Sequence, residues 1–166
     1  MNKHLFLIGF MGAGKSTIGQ SLAYDLNVQF VDLDCLIEEK VGKSIRSIFA
    51  EDGEVAFRDI ETHCLYSLAE LKPLIVSTGG GVIGRDENIK FMHDKGTIIF
   101  LSAEWTTLKK RLAGNTDRPL ARSENDWSAT KELFLKRCPL YGQSDITIMT
   151  DDKTVQEIVD EIKNLI

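Results

Sequence analysis

A glycine-rich segment near the start of the chain, GFMGAGKST at residues 9–17, has the residue types and spacing of a phosphate-binding loop. Gly9 and Gly14, with Lys15 and Ser16 directly after them, fit the pattern GxxxxGK followed by Ser or Thr. An apolar run precedes the segment and a helical pattern follows it, so backbone N–H groups at a helix N-terminus can point at phosphate oxygens. The spacing predicts that Lys15 reaches the β and γ phosphates of a nucleotide and that Ser16 coordinates Mg²⁺. A glycine-rich turn into a capped helix is the simpler alternative.

Two carboxylates follow the next apolar run, in the segment FVDLD. In an extended strand, side chains at positions i and i+2 such as Asp32 and Asp34 leave the same face. At the carboxyl edge of a parallel sheet they would lie beside the phosphate loop. We expect Asp32 to hold Mg²⁺ or its waters, and Asp34 to accept a hydrogen bond or the proton of a substrate hydroxyl. Capping of the following helix by Asp34 is the alternative.

Short apolar runs alternate along the chain with longer segments of helical spacing. The runs show little polar alternation, which is typical of strands buried on both faces of a parallel sheet. The predicted strands are residues 4–8, 29–33, 74–77, 97–101 and 145–149, and the predicted helices are residues 15–26, 54–71, 86–95, 106–113, 128–137 and 154–165. This order predicts an α/β fold, a doubly wound, five-stranded parallel sheet flanked by helices, in a single domain over residues 1–166.

Two intervals interrupt the alternation of strands and helices. Residues 34–61 are expected to form an insertion of short helices between the second and third strands. Residues 114–126, GNTDRPLARSEND, are polar and lack periodicity. Loops of this length inside compact domains are usually functional, and we expect a lid here.

Charge and composition argue against several classes of protein. The net charge of −5 speaks against a broad nucleic-acid surface, so nucleic acid is not an expected partner. Cys35, Cys64 and Cys138 form no CxxC pair, which argues against a disulfide framework or a zinc site. No window approaches the roughly 20 apolar residues that span a bilayer, and glycines interrupt the first apolar run too early for a signal peptide. We therefore expect a cytoplasmic protein with no membrane partner.

The phosphate loop alone leaves the kind of nucleotide-binding protein open. A regulatory GTPase should also carry an NKxD tetrapeptide and a DxxG switch, and neither occurs in the chain. A small-molecule kinase is therefore favoured. Phosphoryl transfer in such an enzyme depends on positioning, Mg²⁺ and cationic groups more than on covalent chemistry.

Six motifs taken together resemble those of the shikimate kinases. They are GFMGAGKST, the DLD pair, FRDIE at residues 57–61, STGGG at 77–81, RPL at 118–120 and RCPLY at 137–141. The motifs occur in the order and spacing of the family over essentially the whole chain. The resemblance implies a P-loop kinase fold with a substrate-binding insertion and a lid. It also implies transfer of the ATP γ-phosphoryl group to the 3-hydroxyl of shikimate in aromatic amino-acid biosynthesis, with ATP as co-substrate and Mg²⁺ as cofactor.

The resemblance implies roles for individual residues as well. Lys15, Asp34 and Arg118 would be catalytic, with Asp34 as the candidate base for the 3-hydroxyl. Arginine presents a rigid fork that suits a carboxylate, as expected of Arg58 and Arg137. ATP would contact Gly12, Ala13, Gly14, Lys15, Ser16, Thr17, Arg111 and Arg118; shikimate would contact Asp34, Arg58, Gly79, Gly80, Gly81 and Arg137; the metal would contact Ser16 and Asp32.

Several of these positions have a simpler interpretation when they are taken one at a time. Arg58 and Glu61 could be a surface ion pair that needs no ligand. Arg111 lies in KKRL, which also fits an exposed helical face, and Arg118 could be a solvated loop residue. Ala121 stands where the family commonly has leucine, which is expected to affect packing of the lid rather than chemistry. The sequence leaves open whether Lys153 contacts the adenine of ATP.

Two other functions remain open from the sequence. One is a related P-loop kinase for another hydroxy acid, such as gluconate. The other is a nucleotide-binding module without turnover, although five intact residues argue against it: Lys15, Asp34, Arg58, Arg118 and Arg137. The family analogy and the lack of an obvious apolar seam predict a monomer.

Overall fold

Helices flank a parallel sheet in the computed structural model, which describes residues 2–114 and 127–166. The strands are β1 His4–Ile8, β2 Phe30–Asp32, β3 Ile75–Ser77, β4 Gly96–Ser102 and β5 Ile146–Met149. The helices are α1 Lys15–Leu26, α2 Leu33–Val41, α3 Ile45–Glu51, α4 Gly53–Tyr66, α5 Asp86–Lys95, α6 Trp105–Ala113, α7 Ser128–Tyr141 and α8 Val155–Leu165. A short 3₁₀ turn, Val82–Gly84, follows β3.

The order of the strands places the glycine-rich segment at the middle of one sheet edge. The order is β2-β3-β1-β4-β5, and neighbouring strands are parallel, which confirms the predicted five-stranded parallel sheet. All carboxyl ends therefore lie at one edge. β1 is central, with β3 on one side and β4 on the other. Ligands of such sheets bind outside the carboxyl ends of the strands, near the point where the connections change direction.

Apolar side chains of the three central strands form the middle of the core. Phe6, Leu7, Val76, Ile98 and Ile99 are fully buried. Continuous burial along a strand requires cover on both faces of the sheet, which is the reason that the sequence shows apolar runs without alternation. Helix α1 contacts β3 and helix α5 contacts β4, so the helices provide this cover.

Four elements end at different residues from those that the sequence predicts, and one of them is β4, which ends one residue later at Ser102. β2 is shorter because the side chain of Asp32 caps α2, which begins at the next residue. α4 ends at Tyr66, and the N–H groups of Leu68, Ala69 and Leu71 then donate i→i−3 hydrogen bonds in turns. α7 is longer, since it passes Pro139 and ends at Tyr141, whose buried ring packs on β4.

The interval between β2 and β3 contains helices α2, α3 and α4, where the sequence predicts an insertion. Residues 115–126, which make up most of the predicted lid, lie outside the described residues. Among the helices that the structure describes, none has the length and apolar character needed to cross a bilayer.

His4, at the start of β1, is a buried histidine whose ring is held in the neutral form. The residue is 4% exposed, and its Nδ1 accepts a hydrogen bond from the Leu74 N–H at 3.3 Å. Burial lowers the pKa of His4 below its ordinary value of 6.5; the charge of Lys95 acts in the same direction, and the Leu68 carbonyl opposes it. A proton on Nδ1 would also face the Leu74 N–H, which is itself a donor, so this hydrogen bond would be lost.

We expect the free energy of unfolding to fall as the pH drops below about 6.5, because the unfolded chain then binds a proton that folded His4 does not. The stabilisation is complete above the pKa of unfolded histidine and is lost as the pH falls toward the lower pKa of the folded state. Urea unfolding of the wild type and of His4→Gln from about pH 7.5 to about pH 5.5 measures this dependence. The control is His63→Gln, at an exposed position. Equal pH dependence in His4→Gln and the wild type would contradict the assignment.

Candidate active site

The loop between β1 and α1 contains three glycines with a φ that side chains disfavour, and the first of them is Gly9 at 151°. Gly12 has a φ of 82° and Gly14 a φ of 94°, both in the left-handed region that side chains disfavour. Gly14 is also the N-cap of α1, so no capping side chain covers the N–H groups of the first turn. A loop of this shape at a helix N-terminus is suited to bind an anion.

The side chain of Lys15 lies along this loop. Its Nζ donates hydrogen bonds to the carbonyl oxygen of Gly9 at 2.9 Å and to that of Phe10 at 3.2 Å. These bonds hold the ammonium group above the loop that carries the anion-binding N–H groups. The position fits a cation that contacts the terminal phosphates of a nucleotide.

Hydroxyl and carboxylate oxygens meet where β2 and β3 end. Ser16 Oγ donates to Asp32 Oδ2 at 2.6 Å and lies 3.2 Å from Ser77 Oγ. Mg²⁺ is usually bound by one or two protein oxygen ligands together with substrate phosphates and water. Within residues 2–114 and 127–166 there is no cluster of three or more His, Cys, Asp or Glu side chains that could hold a metal ion. The oxygen ligands present here therefore fit a Mg²⁺ ion that is shared with a phosphate.

The two aspartates of FVDLD lie in different elements, which corrects the prediction that they share one face of a strand. Asp32 ends β2, and its Oδ1 accepts hydrogen bonds from the N–H groups of Asp34 at 3.1 Å and Cys35 at 3.4 Å. Asp34 lies in the first turn of α2, so the cap is Asp32 and the capping alternative named the wrong aspartate. Both side chains nevertheless line one cleft. A Cβ at Gly79 would lie 2.9 Å from Asp34 Oδ1, which places this carboxylate beside the STGGG segment.

Arg58 and Glu61 of α4 form an ion pair that is mostly buried rather than a surface pair. Arg58 Nη1 lies 2.7 Å from Glu61 Oε2, and the two side chains are 17% and 0% exposed. Burial raises the pKa of Glu61, and the charge of Arg58 opposes this effect. Among the described residues, Glu61 Oε1 has no hydrogen-bond partner. Sequence reasoning assigned Glu61 no site role, and the available signal was its place in FRDIE.

Arg137 of α7 also reaches the glycine triplet of STGGG. Its guanidinium carbon lies 5.9 Å from the centre of the Phe10 ring, and a Cβ at Gly80 would lie 3.1 Å from its Nη1. Arg137 is half-buried and forms no ion pair with any carboxylate that the structure describes. Burial lowers the pKa of the Arg137 guanidinium, and the charge of Arg58 acts in the same direction. The site therefore contains a partly desolvated cation without a paired anion among the described residues.

The glycine triplet is required because neighbouring side chains leave no room for a Cβ, and not because of its backbone conformation. A Cβ at Gly79 would lie 2.6 Å from Glu61 Oε1, and one at Gly81 would lie 2.6 Å from Arg58 Cζ. Neither glycine has a φ in the left-handed region. Any side chain at these positions would displace the Arg58–Glu61 ion pair, so glycine allows the backbone to approach the charged groups.

Arg111 of α6 connects the phosphate loop to the residue after β5. Its Nη2 donates to the Thr150 carbonyl at 2.8 Å, and its Nη1 donates to Thr150 Oγ1 at 3.1 Å and to the Gly12 carbonyl at 3.4 Å. Lys153 lies on the same side of the cleft and pairs with Glu161 at 2.5 Å. Arg111 is therefore beside the phosphate loop and not on an exposed helical face. Its contact with ATP stays a prediction.

One cleft with a volume of about 1080 Å³ contains the predicted site residues that the structure describes. This volume is large enough for a nucleotide and a small second substrate, since typical ligand sites occupy roughly 300 to 1,000 Å³. The residues that line it include Gly12, Ala13, Gly14, Lys15, Ser16, Thr17, Asp32, Asp34, Arg58, Gly79, Gly80, Gly81, Arg111 and Arg137. Arg118 lies outside the described residues, and its catalytic role stays a prediction.

The sheet, the glycine-rich loop after its central strand and the charged cleft at its carboxyl edge define a protein with the P-loop kinase fold. The family model for shikimate kinase matches residues 11–166 of the chain. The chain belongs to the shikimate kinase family.

Individual proteins that are similar to this chain are also shikimate kinases. The shikimate kinase of Persephonella marina is 43% identical over 160 residues, which cover 96% of this chain and 96% of the relative. A crystal structure of shikimate kinase from Bacteroides thetaiotaomicron has a TM-score of 0.91 at 33% identity and covers 98% of this chain and 97% of its own. The shikimate kinase of Acinetobacter baumannii in complex with shikimate has a TM-score of 0.91 at 35% identity and covers 99% of this chain and 93% of its own.

Proposed function

We propose that this protein transfers the γ-phosphoryl group of ATP to the 3-hydroxyl of shikimate, giving shikimate 3-phosphate and ADP for aromatic amino-acid biosynthesis. Membership of the shikimate kinase family supports the proposal. The observation that carries it is the arrangement of two arginines around the glycine triplet, in the same cleft as the phosphate loop. A phosphate site and an acid site in one cleft are what a kinase for a small hydroxy acid requires.

The acid site is built from Arg58 and Arg137. The charge of Arg58 is partly balanced by Glu61, whereas Arg137 forms no ion pair with a described carboxylate. A carboxylate bound between the two guanidinium groups would pair with Arg137 and accept a charge-assisted hydrogen bond from Arg58. Such binding compensates the desolvation of a half-buried cation, which is unfavourable when the charge is left unpaired.

The reacting groups lie between the acid site and the phosphate loop. In the proposed reaction the oxygen of the 3-hydroxyl bonds to the γ phosphorus while the bond from that phosphorus to the β–γ bridging oxygen breaks. Asp34 accepts the hydroxyl proton, and Lys15 with the N–H groups of the loop stabilises the negative charge on the phosphates. Ser16 and Asp32 would hold Mg²⁺, which supplies neutralisation of phosphate charge when bound.

We also propose that the protein acts as a cytoplasmic monomer without nucleic-acid or membrane partners. The described residues of one chain line both the phosphate side and the acid side of the cleft, so no second copy is needed to complete those two sides. The net charge of −5 supports the absence of a nucleic-acid partner.

A coupled assay of ADP release with a panel of acceptors tests the proposed function. We expect turnover that depends on both Mg²⁺ and shikimate, with the product identified as the 3-phosphate by mass spectrometry and NMR. Gluconate and a reaction without acceptor are the controls and should give only background release. Higher kcat/KM with gluconate would make the protein a kinase for a different hydroxy acid. Tight ATP binding with no transfer to shikimate would make it a nucleotide-binding module.

A further inference from the structure

Tyr141, the last residue of α7, belongs to the motif RCPLY but has no role in the reaction described above. It is 1% exposed, and its ring stacks on Phe100 of β4 with a centroid distance of 4.6 Å and an interplanar angle of 11°. Arg137 precedes it by one helical turn, so both side chains lie on the same face of α7. The ring is therefore fixed in the core directly behind a residue of the acid site.

The hydroxyl of Tyr141 contacts the glycine triplet of the acid site. It donates a hydrogen bond to the Gly80 carbonyl at 3.3 Å, and Arg137 lies against the same glycine, since a Cβ at Gly80 would lie 3.1 Å from Arg137 Nη1. Burial raises the pKa of Tyr141, so the hydroxyl keeps the proton that it donates to Gly80.

The bond to Gly80 also fixes the peptide unit that joins Gly80 to Gly81. In a planar trans peptide the carbonyl and the following N–H point in opposite directions. A carbonyl of Gly80 held on Tyr141 therefore sets the direction of the Gly81 N–H. The same hydroxyl thus constrains a segment of backbone that lies against both Arg137 and Arg58.

We propose that Tyr141 is a positioning residue for recognition of the substrate carboxylate, because its hydroxyl holds the Gly80 carbonyl and thereby fixes the backbone against which the Arg137 guanidinium lies. The inference rests on the proposed function, since it concerns the acid site of that reaction. A purely structural role is the alternative, in which the ring fills the space beside Phe100 and the hydroxyl has no effect on substrate.

The variant Tyr141→Phe separates these two roles because it keeps the ring and removes only the hydroxyl. We expect the KM for shikimate and its dissociation constant from calorimetry to rise roughly 5- to 10-fold, the effect of losing one hydrogen bond. The kcat and the KM for ATP should stay within about twofold of the wild type, because no transition-state or nucleotide contact is lost. The matched control is Tyr66→Phe, which removes a hydroxyl that donates to the Glu87 carbonyl at 3.3 Å outside the site.

Two further measurements distinguish positioning of Arg137 from a general loss of structure. With the methyl ester of shikimate, which lacks the negative charge, Tyr141→Phe and the wild type should show the same KM. In an Arg137→Ala background, Tyr141→Phe should raise the KM for shikimate by less than about twofold, because a residue that acts through Arg137 has no effect once Arg137 is gone. Equal increases of KM for shikimate and its ester, or full additivity with Arg137→Ala, would overturn the inference.

The failure of this inference can be told apart from the failure of the proposed function. Wild-type protein that does not phosphorylate shikimate would refute the proposed function, and the role of Tyr141 would fall with it. Wild-type protein that is active on shikimate, together with a Tyr141→Phe variant of unchanged KM and unchanged shikimate affinity, would refute only the role of Tyr141.

Discussion

Lys15→Met is expected to lower kcat for phosphoryl transfer on the order of 10²- to 10³-fold, the effect of removing one preorganised group that stabilises transition-state charge. The ammonium group lies above the phosphate loop, held by the carbonyl oxygens of Gly9 and Phe10. Methionine has a similar length but carries no charge, so the loop keeps its backbone N–H groups and loses the cation that follows the moving phosphoryl group. Steady-state assays at saturating ATP and shikimate measure the effect.

The matched control for this variant is Lys3→Met, which removes a lysine at an exposed position before β1. It should leave kcat within about twofold of the wild type, as is usual for surface positions outside the site. Thermal unfolding of Lys15→Met should show that the variant is folded. A kcat for Lys15→Met close to that of the wild type would remove Lys15 from the catalytic residues.

Asp34→Asn is expected to lower kcat by roughly 10²- to 10⁴-fold, the usual contribution of a general base. Asparagine has nearly the same shape and keeps an oxygen that accepts a hydrogen bond, but it cannot take up a proton at neutral pH. Affinity for ATP should be unchanged, because Asp34 lies beside Gly79 on the acid side of the cleft. Single-turnover kinetics with saturating shikimate separate the chemical step from substrate binding.

The control for this variant is Asp59→Asn, since Asp59 is an exposed residue paired with Arg85 outside the cleft. It removes a carboxylate and should leave the rate of the chemical step unchanged. A single-turnover rate in Asp34→Asn that equals the wild-type rate would show that the proton leaves by another route.

The elements nearest to the phosphate site were predictable because their pattern is local. The apolar run of β1, the glycines after it and the helix that starts at Lys15 follow one another without a gap in the sequence. The need for glycine at residues 12 and 14 arises from their φ angles, which is a property of the loop itself. The parallel sheet followed for a similar reason, since strands covered on both faces require continuous apolar runs.

The sequence prediction missed or misplaced other features because they depend on contacts between distant elements. β2 ends at Asp32 because the side chain of this residue caps α2. The pattern of apolar and polar residues does not predict which residue forms such a cap. The burial of Glu61 beside Arg58 and of Tyr141 against Phe100 depends on packing between elements that are distant in the sequence. A glutamate three residues after an arginine predicts a surface pair when the packing around α4 is unknown.

We expect the loop after β1 and the arginine pair to hold ATP phosphates and the carboxylate of shikimate in one cleft, with the acceptor hydroxyl between them. A crystal structure with ADP, Mg²⁺ and shikimate tests it most directly. We predict the β phosphate on the N–H groups of residues 12–17, the carboxylate between Arg58 and Arg137, and the 3-hydroxyl within hydrogen-bonding distance of Asp34. Shikimate bound away from the arginine pair, or ADP phosphates outside the loop, would contradict the account.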